Sequence, residues 1–285
     1  MQTTHDCLPC FIRQALEAVR HATPDEKLHE TVLRKVMSFV ANMDLNQSPP
    51  MMGQKIHRLV RQLSENADPY KKIKDESNRY ALKLVPSLEK RFDGFPDPVE
   101  AAVRLSIAGN IIDFGVNREI TPEVIAQTID KSMDNPLFGN PETLQNFSFS
   151  GKKVLYLGDN AGEIVFDRLL IERLSAGQIV FCVRGGPVLN DVTYADAEQV
   201  GITDLVEVID NGSDAPGTVL GDCSSPFMQH FHDADIVIAK GQGNFETLSD
   251  VKKPIIFLLQ AKCPVIARHI GCEIGTAVIW QRIFM

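Results

Sequence analysis

Asp159, Asn160 and Asp191 are the residues of this 285-residue chain whose types most directly suggest chemistry. They offer hard oxygen donors without sulfur or imidazole, a set that suits Mg²⁺ or Mn²⁺ better than Zn²⁺; Co²⁺ and Ni²⁺ stay open as alternatives. Lys240 and Lys262 could neutralise phosphoryl oxygens as point charges. The glycines of Gly158-Asp159-Asn160-Ala161-Gly162-Glu163 and Lys240-Gly241-Gln242-Gly243-Asn244-Phe245-Glu246 would let backbone N–H groups approach an anion. A divalent ion held between carboxylates and a phosphoryl group polarises phosphorus. Any one of these loops alone reads as a turn with a helix-capping Asp or as a solvated lysine. Their agreement raises the joint reading above the single ones.

The elements that must position these residues follow from periodicity. After Ser150-Gly151 come short, nearly continuous apolar runs at 154–157, 178–183, 205–209, 235–239 and 254–259, separated mostly by segments of helical length. Such runs fit strands buried on both faces of a parallel sheet, and their alternation with helices predicts a doubly wound, Rossmann-like α/β domain over residues 151–285. Ligands of such sheets bind beyond the carboxyl ends of the strands. Each run here ends in polar residues: Gly158-Asp159, Arg184-Gly185-Gly186, Asp210-Asn211-Gly212, Lys240-Gly241 and Gln260-Ala261-Lys262. With parallel strands, all five clusters share one rim.

Residues 1–150 read as an all-helical domain. Leu28, Val32, Leu33, Val36 and Val40, then Ile56, Leu59, Val60 and Leu63, then Tyr80, Leu84, Val85 and Leu88 each form one apolar stripe at helical spacing. Pro-containing breaks at 23–25, 47–50, 67–69 and 92–98 divide them. One helix is expected from about Val99 to Phe114 and another after Thr121-Pro122. No β-type alternation interrupts this half.

Asn110 and Asp113 lie three apart on the apolar 99–114 helix and share a face. They either touch substrate or a water at the site, or make an interdomain hydrogen bond or cap. Cys7-Leu8-Pro9-Cys10 has two readings as well. It lacks the second ligand pair of a structural zinc site and the preceding strand of a thioredoxin-type redox pair, so it is either two thiols at a helix start or a metal or redox motif still missing partners. His230-x-His232 sits in an ordinary helix end or turn.

Together with Ala108-Gly109-Asn110-Ile111-Ile112-Asp113, Leu189-Asn190-Asp191-Val192-Thr193 and Lys262-Cys263, the loops quoted above resemble the DUF89, or damage-control phosphatase (ARMT1-like metal-binding), family over nearly the whole chain. The cysteine pair is similar to its stand-alone prokaryotic branch. The resemblance implies metal-dependent hydrolysis of a small phosphorylated metabolite. It places the metal on Asp159, Asn160 and Asp191 and the substrate on the Lys240, Gly241, Gly243, Asn244 loop and Lys262, with Asn110, Asp113 and Glu246 as further candidate substrate contacts. Asp159, Asp191 and Lys262 are then the catalytic candidates, with Asp159 or another nearby carboxylate orienting the attacking water.

Two other classes compete. An S-adenosylmethionine-dependent methyltransferase would want an acid at the end of the second strand, where Arg184 stands. A dinucleotide site would want G-x-G-x-x-G. A non-catalytic metabolite-binding module is the third reading, since fold does not fix function. A phospho-aspartyl route would want a second Asp at position 161, which is Ala.

Hydrophobic residues at 44% and charged residues at 23% describe an ordinary globular chain, and a net charge of −8 argues against a nucleic-acid partner. No apolar run approaches the ~18 residues of a membrane span, and the start lacks a secretory pattern. Six cysteines are too few for a disulfide scaffold, so a reduced, cytoplasmic setting is expected. Oligomeric state is not encoded in any of these features.

Overall fold

The computed structural model describes residues 1–92, 95–109, 131–133, 135–140, 143 and 147–281. Helices α1 (Cys7–Ala22), α2 (Glu26–Ala41) and α3 (Pro49–Ser64) form where the apolar stripes predict them. Asp25 ends the first turn-like break and caps α2 by accepting from Lys27 N at 2.9 Å; Pro49 and Pro50 open α3, where a missing N–H costs nothing. Phe11, Ala15, Ala18 and Val19 bury against Val32, Val36 and Val40 and against Met52, Ile56 and Val60, making a small core of their own.

Helices α4 (Lys71–Phe92) and α5 (Pro98–Gly109) belong to a different core. Asp97 caps α5 through Val99 N and Glu100 N at 2.8 and 3.2 Å. The helix is buried nearly all round because it lies among α4, the sheet and α6 (Glu163–Ile171). Ala81, Leu88, Ala102 and Leu105 join Val154, Tyr156 and Phe166 in one apolar cluster. The part of the expected 99–114 helix beyond Gly109, the helix after Pro122, and with them Asn110 and Asp113 lie outside the described residues.

Seven strands form one sheet among the described residues: β1 (Phe138–Gly139), β2 (Phe149–Leu157), β3 (Ala176–Val183), β4 (Glu207–Asp210), β5 (Ile236–Lys240), β6 (Ile255–Gln260) and β7 (Ala277–Gln281), in the order β1-β7-β6-β5-β2-β3-β4. Strands β2 to β6 are mutually parallel, and Val154 and Tyr156 face one apolar cluster while Leu155 and Leu157 face the other. Both faces are therefore covered, one by α4, α5, α6 and α7 (Tyr194–Gln199), the other by α8 (Ser225–Asp233), α9 (Gly241–Leu248) and α10 (Pro264–Ile270). The expected class, N-terminal helices followed by a doubly wound Rossmann-like sheet, is the one observed. Two strands were not anticipated. β7 runs antiparallel to β6, and the two-residue β1, drawn from the helical half, pairs with β7. No helix among the described residues is long and apolar enough to cross a membrane.

Two polar clamps hold the helices over the strand ends. On α4, Lys74 is buried between Asp68 at 2.9 Å and Asp196 at 3.4 Å, and Asn78 bonds Asp196 while accepting from Gly162 N at 2.7 Å. On α3, Gln54 Nε2 reaches Asp214 and Asp222, each at 2.7 Å, and Arg61 donates to Pro187 O at 2.6 Å and to Asp214.

Candidate active site

Strand order reverses between β2 and β5: the chain winds outward to β3 and β4 on one side and to β6 on the other. At such a switch point the loops leaving the two central strands splay apart and leave a crevice. Asp159 follows β2, and Gly241 follows β5. The loop after β2 is zipped to the 188–192 loop by Val192 N→Asp159 O (2.8 Å) and Ala161 N→Asn190 O (2.9 Å), and Asn160 and Asp191 form an antiparallel bridge. Asp159, Asn160 and Asp191, separate in sequence, are thereby brought together.

A residue given no role in this site from sequence holds the cluster. Arg184, at the end of β3 and only 2% exposed, donates from Nε to Asp191 Oδ2 at 2.7 Å, and its Nη2 stands 3.6 Å from Asp159 Oδ1 without a hydrogen-bond partner. Both carboxylates therefore converge on one guanidinium. Asn160 Nδ2 donates to Asp159 Oδ2 at 2.7 Å, which leaves its amide oxygen as the acceptor end. Gly241 closes the far wall: with φ +76°, its Cα is so near that a Cβ would lie 1.8 Å from Asp159 Oδ2.

Burial holds several carboxyls of the site above their ordinary range. Burial, reinforced by the Asp159 charge and opposed by Arg184, pushes Asp191 up to about 7. Burial pushes Glu163 up to about 8 and Glu246 up to about 7, with Asp159 contributing to both. Arg184 pairs with Asp191 and approaches Asp159, and Lys240 pairs with Glu163 and Asp167, while the buried Lys74 acts on Asp191 and the N-terminal ammonium on Glu246. Among the described residues no group of three or more His, Cys, Asp or Glu side chains is arranged to hold an ion alone. Two carboxylates, one amide oxygen and open positions for non-protein oxygens are nonetheless what a hard divalent ion that keeps part of its water requires. The residues fit such an ion.

Lys240 departs from its expected place. It is wholly buried, and its Nζ donates to Ser106 O (2.9 Å), Glu163 Oε1 (2.6 Å) and Asp167 Oδ1 (2.5 Å). An ammonium has three donors, so none is left for a phosphoryl oxygen. Asp167 also accepts from the buried Tyr156 hydroxyl at 2.8 Å. Lys240 thus braces the floor of the site instead of facing the rim. Asn244 is likewise a brace: buried at the start of α9, it donates to Gly158 O (3.2 Å) and Lys240 O (2.8 Å) and accepts from Thr218 Oγ1 (2.8 Å) and Arg184 Nη1 (3.2 Å). Gly243 lets α9 meet the 215–218 loop, since a Cβ there would fall 2.1 Å from Pro216 O. Glu246 is nearly buried and accepts from Gln242. Lys262, by contrast, is exposed on the loop after β6. His230 and His232 lie on α8, away from these loops.

A doubly wound sheet with an acidic, amide-bearing loop cluster at its switch point places the chain in the class of Rossmann-like α/β proteins. Comparison with known proteins narrows it. The damage-control phosphatase ARMT1-like domain matches residues 3–278, and the chain belongs to that family. It is 36% identical to an uncharacterised protein of Methanocaldococcus jannaschii, over 97% of this chain and 94% of the relative. It is 32% identical to damage-control phosphatase PH1575 of Pyrococcus horikoshii over 100% of this chain and 99% of that one. The crystal structure of PH1575, described as a DUF89 family protein, superposes with a TM-score of 0.91, covering 99% of this chain and 100% of that chain. Mouse 4'-phosphopantetheine phosphatase is 28% identical over 55% of this chain and 23% of its own length.

Proposed function

We propose that this protein is a divalent-metal-dependent phosphoric monoester hydrolase acting on a small phosphorylated metabolite in the cytoplasm. The observation that carries the proposal is the meeting of Asp159 and Asp191 on the single guanidinium of Arg184, beside the Asn160 amide, at the switch point of the sheet. Relatives named damage-control phosphatase and 4'-phosphopantetheine phosphatase support the reaction class.

Asp159, Asn160 and Asp191 would hold Mn²⁺ or Mg²⁺, which when bound supplies Lewis-acid polarisation of the phosphoryl group. Arg184 keeps the two carboxylates in register. The Gly241–Gly243 turn opens α9 and offers its first backbone N–H groups to phosphoryl oxygens. Lys262, exposed on the neighbouring loop, brings a mobile positive charge to the same anion. Asp159 or another nearby carboxylate takes a proton from the water that attacks phosphorus in line, and that proton passes to the alcohol oxygen as the ester P–O bond breaks. The alternative of a methyltransferase is disfavoured by Arg184, which fills the place where a ribose-binding acid belongs.

The test is a phosphate-release screen over phosphorylated metabolites with Mg²⁺, Mn²⁺, Co²⁺ and Ni²⁺ added to chelated protein. Turnover should require an added ion. Asp159→Ala and Asp191→Ala should each lose more than about 100-fold, beyond the loss common for outer-shell partners, while circular dichroism shows an intact fold. Full turnover by Asp159→Ala at limiting Mn²⁺ would remove the assigned ligands, and unchanged kinetics in Lys262→Ala would remove that lysine from the site.

A further inference from the structure

The two loops that carry Asp159, Asn160 and Asp191 are joined a second time, through residues outside the bridge between them, by one side chain of α4. Asn78 is wholly buried. Its Oδ1 accepts from Gly162 N at 2.7 Å, and its Nδ2 donates to Asp196 Oδ1 at 3.1 Å and to Gln199 Oε1 at 2.8 Å. The Gly162 N–H can only donate and the Asp196 carboxylate only accepts, so the amide fits one way round and both its hydrogens are used. Gly162 follows Asn160 closely and is the N-cap of α6. Asp196 carries the contact to the other loop. Its Oδ2 accepts from Thr193 N at 2.8 Å and from Thr193 Oγ1 at 2.7 Å, in the capping box that starts α7 just after Asp191. Val192, between the two, donates from its backbone to Asp159 O at 2.8 Å. Lys74, one turn before Asn78 on α4, neutralises Asp196 at 3.4 Å and Asp68 at 2.9 Å, so the buried carboxylate is paired. Holding α4 in place needs none of this, for Ala81 and Leu88 already pack the helix into the apolar cluster of the sheet.

We propose that Asn78 is a positioning residue: it sets the spacing of the two ligand-bearing loops, and with it the affinity of the site for a divalent ion, without touching the ion. A small hard cation demands near-ideal placement of its oxygen ligands, so a slight shift of either loop weakens binding. Side chains that hold the ligands from behind therefore govern affinity although they make no bond to the metal. Asn78 does this from a helix packed on both α6 and α7, the elements that follow the two loops. A rigid helix fixes such a contact better than a loop would. The inference rests on the reading of Asp159, Asn160 and Asp191 as metal ligands.

Mn²⁺ binding to the chelated full chain is measured by calorimetry, beside denaturant unfolding in EDTA. Asn78→Asp keeps an acceptor for Gly162 N but sets a second carboxylate against Asp196. It is expected to bind Mn²⁺ about 10–100-fold more weakly, the loss common for partners behind metal ligands. Asn78→Ala, which leaves Gly162 N and Asp196 unmatched, should do the same. The double variant Asn78→Asp/Asp196→Asn moves the donor across: the amide at position 196 turns its hydrogens to position 78 and its oxygen to Thr193, and the exposed Gln199 can turn its own amide to suit. This variant should recover most of the affinity. Leu88→Ala, which loosens α4 through the apolar cluster alone, should lower stability and leave the Mn²⁺ affinity of the folded chain unchanged. The proposal is overturned if Asn78→Asp binds Mn²⁺ like the parent, if Leu88→Ala loses as much affinity, if the double variant stays as weak as the single one, or if no Asn78 variant folds even with Mn²⁺ present. A parent chain that binds no Mn²⁺ sinks the metal reading itself, whereas loss of binding in Asp159→Ala with none in Asn78→Asp sinks only the role of Asn78.

Discussion

At the scale of the residue, Arg184 decides most about the site. Its guanidinium is the buried cation that bonds Asp191 and brings its Nη2, which has no hydrogen bond, to 3.6 Å from Asp159 Oδ1. Removing one member of a buried pair leaves an uncompensated charge, typically at about 3–5 kcal/mol. Arg184→Met should therefore destabilise chelated protein by that order, and by clearly less in saturating Mn²⁺, because an ion bound only by the folded state offsets the loss. Denaturant melts in EDTA and in Mn²⁺ check this; an equal loss in both would mean that Arg184 and the ion do not share the carboxylates. The meeting of Asp159, Asn160 and Asp191 was legible in the sequence because polar clusters close every buried run on the same rim, although each loop alone reads as a capping turn. The burial of Lys240 was not. A side chain at a strand end can turn to the rim or to the interior, and here the choice is set by Glu163 and Asp167, which lie 77 and 73 positions away.

At the scale of the element, α9 begins where it does because Gly241 adopts a conformation that side chains avoid and sits where Asp159 leaves no room for one. Gly241→Ala must either move the Asp159 carboxylate or unwind the first turn of α9. We expect a loss of about 1–3 kcal/mol in stability, together with weaker Mn²⁺ binding measured by calorimetry. A variant that is destabilised yet binds Mn²⁺ like the parent would show that α9 moved and the Asp159 carboxylate did not. The α/β elements were readable as continuous apolar runs between helical segments. β7 was not read as a strand, for it follows a Gly271–Gly275 stretch and carries only Ala277-Val-Ile-Trp, and antiparallel pairing leaves no mark in so short a run. β1 has two residues and no periodicity at all. The change of pattern near residue 150 marks where strands begin, but packing follows another line: α4 and α5 share their core with the sheet, while α1 to α3 keep their own.

At the scale of the whole molecule, the α1–α3 bundle is joined to the strand-end loops largely through α3, where Gln54, Arg58 and Arg61 surround Asp214. His57 is buried on that helix, 3% exposed, with Nε2 unbonded. Burial first, then the neighbouring Arg61 charge, lowers it from 6.5 to about 4, and Asp214 opposes only partly. The sign of the linkage follows. Above pH 6.5 the imidazole is neutral in folded and unfolded chains alike and makes no pH-dependent contribution. Between 6.5 and 4 the unfolded chain binds a proton that the folded chain refuses, so stability falls as pH falls. At 1.36 kcal/mol per unit this amounts to about 3 kcal/mol across the window. His57→Gln removes the ionisation. The stability of the parent minus that of the variant, taken from urea titrations at intervals of pH, should be constant above 6.5 and should drop by about 3 kcal/mol on reaching 4. A difference that stays level through the whole range would mean that His57 accepts its proton in the folded state, and that the contact between the bundle and the strand-end loops opens to water before the molecule unfolds.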